Sequence, residues 1–252
     1  MSFIEAIIFG TISGLTIFFG MPVARIRALA KQHVAFLNAI AIGVLFFLLF
    51  DIFEHAITPI ERALHGKGGS ATLLIVIFIA GFTIGFLGLV YYGERLLRGQ
   101  SSHSAQQLAL MVAIGIGLHN LSEGLAIGQA AASGELSFAF ILIIGFGLHN
   151  ITEAFGIAAP LAGSTVSWRF LLMAGLIAGA PNALGTLVGY WFTSELLSIL
   201  FLALAGGAIV FVLGELFAAG RKLSAHTWNG WGILIGFFAG LLTDFLLIAL
   251  GT

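Results

Sequence analysis

The chain has no cysteine. That excludes disulfides, thiolate nucleophiles, zinc ribbons and iron–sulfur ligation. With only four methionines it also argues against Cu(I), which takes sulfur ligands. Charge is nearly as scarce. Asp, Glu, Lys and Arg make up 8% of the residues, against roughly a quarter in soluble domains, so little polar sequence remains to coat a soluble core. The net charge of -1 leaves no electrostatic footprint for nucleic acid. No Gly-rich loop ends in Lys-Ser/Thr, so the chain carries no P-loop ATPase site, and transport by it would run on gradients or on a partner's energy. Long linkers and low-complexity tracts are missing too. The expectation is a single transmembrane domain over 1–252.

What fills the chain is apolar: 60% of its 252 residues are hydrophobic, with a mean hydropathy of +1.11. A bilayer core about 30 Å thick needs roughly 20 apolar residues per helix. Polar and Gly-rich breaks give eight such spans, at Phe3–Pro22, Val34–Ile57, Ala71–Gly93, Ala105–Ala132, Leu136–Leu161, Phe170–Phe192, Leu196–Ala219 and Gly230–Leu250. The fold expected is all-α, an eight-helix polytopic membrane bundle. Met1-Ser-Phe-Ile-Glu5 has no basic segment, so the first span reads as a membrane helix rather than a secretory signal. Arg25, Arg27, Lys31, Arg95, Arg98, Arg169, Arg221 and Lys222 fall on one side; only Arg62 and Lys67 fall on the other. The positive-inside rule makes the first side cytoplasmic and puts both termini outside. Trp168, Trp191 and Trp228 fall at span ends, as membrane anchors do.

One pattern occurs twice, thirty residues apart. Gly115-Ile-Gly-Leu-His119-Asn120-Leu-Ser-Glu123 reads against Gly145-Phe-Gly-Leu-His149-Asn150-Ile-Thr-Glu153. An ionisable group in hydrocarbon costs on the order of 3 kcal/mol even on lenient insertion scales. Paying that twice, at one spacing, argues for joint use. His and Glu at i and i+4 share a helix face, with Asn at its edge. The turn between the spans lies near Ser133-Gly-Glu135, 13 residues after the first motif's centre and 17 before the second's. At 1.5 Å per residue the mismatch is about 6 Å, so antiparallel neighbours bring both motifs to nearly one depth. Two imidazoles and two carboxylates suit a divalent ion such as Zn(II), Fe(II) or Mn(II). The alternative is a His–Glu pair that only staples two helices. An intramembrane metal-dependent hydrolase is the rival activity, although no His-Glu-x-x-His string occurs.

Other polar residues are sparser. Asp51, Glu54 and His55 cluster in the second span, and read either as a cation-collecting entrance or as solvated helix-end groups. Glu215 in the seventh span suggests an exit or proton-coupling role. Asp244 is isolated and could pair with the Asp51 cluster or serve packing. Glu5 reads as solvated, as do His33, His65, His103 and His226 near loops.

The two motifs resemble those of the ZIP metal-ion transporters, especially the bacterial and archaeal GufA-like branch, whose fourth and fifth helices carry His-Asn-x-x-Glu/Asp and His-(Asn/Asp/Glu)-x-x-(Glu/His). The resemblance implies passive or gradient-driven movement of divalent ions into the cytoplasm across the cell membrane by a homodimer. Zinc comes first, with Fe, Mn, Cd and Co open. The metal is cargo rather than a prosthetic group, and the chain is not an enzyme. It also implies a primary metal site of His119, Glu123 and Glu153, with His149 contributing, and a second site of Asn120 and Asn150 bridged by Glu153. Three departures stand out. Ser122 and Thr152 replace a frequent proline. Asn182, in Gly179-Ala-Pro181-Asn182, replaces a carboxylate, which leaves the second site poor in charge and favours one firmly held ion. The third loop lacks a His-rich insertion.

Overall fold

The computed structural model describes residues 1–26, 29–67, 69–96, 104–134, 136–192, 194–223 and 225–251. Arg27, Arg98, His103 and Glu135 lie outside the described residues. The described elements are helical throughout. They run α1 (Phe3–Leu15), α2 (Ile17–Gly20), a 3-10 turn (Met21–Arg25), α3 (Lys31–Leu64), α4 (Ala71–Leu96), α5 (Ala105–Ala132), α6 (Leu136–Ala158), a 3-10 turn (Ala159–Leu161), α7 (Trp168–Trp191), α8 (Glu195–Lys222) and α9 (His226–Gly251). Among the described residues, seven stretches are long and apolar enough to cross a bilayer. The eighth long helix, α9, has 26 residues and carries Asp244 as its one charged side chain. Large apolar residues such as Phe19, Val76, Ile79, Phe238 and Leu242 are more than half exposed. An apolar exterior of this extent belongs in lipid, and the protein is a multi-pass membrane protein.

Two spans differ from their sequence reading. The first is not one continuous helix. Thr16 interrupts it, with its hydroxyl 2.6 Å from both the Ser13 carbonyl and the Gly147 carbonyl on α6. A hydroxyl shared with a neighbouring helix competes with the helix's own ladder. The second span runs on to Leu64 with Pro59 inside it, so Asp51 to His55 lie more than two turns before its end. Glu5 is not simply solvated: it closes a capping box with Ser2, accepting from the Ser2 amide at 2.8 Å. Its charge at the first turn also complements the helix dipole.

Helices meet backbone to backbone where glycines remove the side chain between them. The closest seam joins α5 to α7. A Cβ on Gly124 would clash with the Asn182 carbonyl and stand 2.9 Å from the Thr186 amide nitrogen. One on Gly185 would stand 2.8 Å from the Leu125 nitrogen. The seam therefore fixes α7 against the face of α5 that carries the first motif. On the other side of the molecule, Gly236 of α9 seats on Ile40 of α3, and Gly240 seats on the ring of Phe47.

Candidate metal centre

The first motif rides α5 and the second α6, and the two turn toward each other. His119 Nε2 lies 3.3 Å from Glu123 Oε1 on its own helix and 3.6 Å from Glu153 Oε1 on α6. One ligand atom from each of His119, Glu123 and Glu153 lies within 4.8 Å of the others. Glu153 is fully buried, and His119 and Glu123 are 3% and 4% exposed. Among the described residues, no Lys or Arg lines the adjoining cavity. The Asn120 amide lies beside Glu153, yet neither Glu153 oxygen receives a well-formed hydrogen bond, and Glu123 Oε1 and both His119 ring nitrogens are likewise orphaned. Buried carboxylates without donors are costly unless a cation satisfies them. Two carboxylates and an imidazole are a donor set suited to a divalent first-row metal.

The asparagines form a collar behind this trio. Asn120 Nδ2 donates to Asn150 Oδ1 and, at 3.0 Å, to the Ala178 carbonyl of α7. Asn150 Nδ2 donates to Ser13 O at 3.2 Å and Phe146 O at 2.8 Å. Both amide protons of each group are thus engaged, which fixes how the amides point. Asn182 Nδ2 donates to Glu123 Oε2 at 3.4 Å. An amide therefore stands where the resemblance led one to look for a carboxylate, and it orients Glu123.

His149 is brought to the same region but not into the trio. It is 4% exposed, lines the adjoining cavity, and meets Phe47 edge-on at 6.2 Å between ring centroids. Ser122 and Thr152 donate to the carbonyls of His119 (2.6 Å) and His149 (2.7 Å). These are i−3 rather than i−4 contacts.

A cavity of about 540 Å³ opens onto His119 and Glu123, with Glu153 behind them. Asp51, His55 and Asp244 line it together with His119, Glu123 and His149. The Asp51–His55 contact is 3.3 Å. Glu54, one turn position away, is exposed and does not line the cavity. Glu215 on α8 is half-buried and also lies off the cavity wall. Two lining residues escaped the sequence reading, Gln129 of α5 and Ser198 of α8, whose side chains meet at 3.4 Å. The signal available was the polarity of Gln129 near the end of an apolar span. Of the loop histidines, His33 stacks edge-on against Trp228 at 5.8 Å, and His65 bonds the Glu61 carbonyl of its own helix at 2.8 Å.

No curated protein matches the chain. Its sequence does match a family description, "ZIP Zinc transporter", over residues 93–248. That stretch runs from the end of α4 into α9, and so takes in both motifs, Asn182 and Asp244. With a buried His–Glu group at the meeting of α5 and α6 and a cavity leading to it, the match covers well over half of the chain, which belongs to the ZIP zinc transporter family.

Proposed function

We propose that the protein carries divalent metal ions, zinc foremost, into the cytoplasm, and that His119, Glu123 and Glu153 hold the ion midway. The observation that carries this reading is the convergence of three buried, donor-starved ligand atoms within 4.8 Å from two antiparallel helices. Asn182 orients Glu123, and Asn120 and Asn150 tie α5, α6 and α7 together behind the trio; none adds charge for a second site, so one ion is bound at a time. His149 takes up the ion on the cavity side of the trio. The inward direction rests on the resemblance to the family, and the excess of basic residues on one side supports that side as the cytoplasmic one. A homodimer is the assembly of this reading. Ion transport is the family's activity, so an intramembrane hydrolase built on the same residues has no observation in its favour. The test is uptake into liposomes loaded with a zinc-sensing dye. Wild-type protein is expected to give a zinc-dependent signal and the His119→Ala, Glu153→Gln double variant none; equal signals from both would refute the site.

The cavity residues Asp51, His55 and Asp244 form the approach. Carboxylates in a low-dielectric cleft concentrate cations and speed encounter. Asp51→Asn is expected to slow uptake by up to about tenfold at low ionic strength, with the deficit shrinking as salt screens the field, while equilibrium zinc affinity stays unchanged. Affinity that falls in step with the rate would instead make Asp51 a ligand.

A further inference from the structure

Ser122 and Thr152 hold the same place in the two copies of the motif, and their hydroxyls make the same bond to the preceding histidine carbonyl. If bending a helix were their whole task, they would be equivalent. They are not. Ser122 lines the cavity beside His119 and Glu123 and is 7% exposed; Thr152 is absent from that wall. Helix geometry gives the two copies the same spacing, so the difference lies in which stripe the cavity reaches: on α6 it reaches His149 but neither Thr152 nor Glu153. At about 100° per residue, Ser122 stands about 60° from His119 on one side, and Glu123 stands about 40° from it on the other. All three therefore share one stripe of α5. The hydrogen bond also sets the electronics of the hydroxyl. Its single proton is committed to the His119 carbonyl at 2.6 Å, which leaves the oxygen's lone pairs free to accept a cation without breaking that bond.

We propose that Ser122 is a further metal ligand of this transporter: its Oγ meets the ion on the cavity side and replaces water lost before Glu153 engages. Ser122 thereby contributes to which metals pass. This rests on the reading of His119, Glu123 and Glu153 as the metal site. The chain's lack of cysteine offers a clean background for testing it, and Thr152 offers an internal control. Ser122→Cys is expected to shift binding preference toward cadmium over manganese by about tenfold, because a thiolate favours the softer ion. Its thiol should react with a water-soluble maleimide and be shielded by cadmium. Thr152→Cys should change the preference by less than about twofold and show no cadmium protection. Ser122→Ala should raise the KM for zinc uptake several-fold with kcat unchanged, and Ser122→Thr should restore it. The proposal is overturned if the two cysteine variants shift preference equally, or if Ser122→Cys shifts nothing while zinc binding still needs His119 and Glu153. Binding that survives the His119→Ala, Glu153→Gln double substitution would overturn the trio itself and this proposal with it.

Discussion

Replacing Glu153 by Gln is expected to have effects of opposite kind on the metal-free and the zinc-bound protein. The side chain is fully buried, 3.6 Å from His119 Nε2, and receives no well-formed hydrogen bond. Gln keeps the volume and removes the charge. Without metal, the variant should be no less stable than wild type, since removing an uncompensated buried charge relieves a desolvation cost. With metal, one of three converging donors loses its charge, and affinity for zinc should fall by about 100-fold or more. At a zinc concentration a hundred times the wild-type Kd, bound metal stabilises the wild type by about 2.7 kcal/mol and such a variant by only about 0.4 kcal/mol. Thermal unfolding in detergent, with and without zinc, reads both effects. A variant that loses stability without metal yet keeps the full zinc-induced shift would mark Glu153 as a structural group.

The second large effect concerns Gly124. A Cβ there would clash with the Asn182 carbonyl and lie 2.8 Å from its carbonyl carbon and 2.9 Å from the Thr186 nitrogen. These are backbone atoms, so no rotamer can yield and the α5–α7 seam must open. Gly124→Ala is expected to cost about 1–3 kcal/mol, the range for overpacking a tight interface. It should also weaken zinc binding, because Asn182 reaches Glu123 across this seam at 3.4 Å. Gly214 in α8 is the control, with nothing within 4 Å of its added Cβ. Gly214→Ala should be neutral or stabilising by about 0.5–1 kcal/mol, the ordinary helical gain of Ala over Gly. Melting temperatures and zinc titrations of the two variants separate these cases. Equal behaviour would mean that the seam does not hold the site.

Much of the candidate site's geometry was legible because its signal is periodic. A His–Glu pair at i and i+4 fixes a shared face, and two copies at matched distances from one turn fix a shared depth. His119 and Glu153 meet across α5 and α6 as that arithmetic requires. What escaped the sequence depends on contacts between distant segments. The break at Thr16 comes from the Gly147 carbonyl, 131 residues away. Asp244 joins Asp51 and His55 around one cavity because α9 packs on α3; the sequence left that pairing open against a packing role, since no local pattern decides it. Periodicity alone does not separate the two histidines; only His119 enters the trio, and His149 packs against Phe47. The second span read as ending at Ile57, but the helix continues through Pro59 to Leu64. Pro is costly in a helix interior on average, and a rule of averages does not decide one position.

The central claim is that the imidazole and carboxylates of α5 and α6 close around one cation inside the membrane. Anomalous scattering at the zinc edge from crystals of the zinc-bound protein addresses it directly. The expected result is one strong peak about 2.0–2.2 Å from His119 and from the carboxylates of Glu123 and Glu153. A sole peak among surface histidines, or a zinc-loaded protein with no peak at the trio, would contradict it.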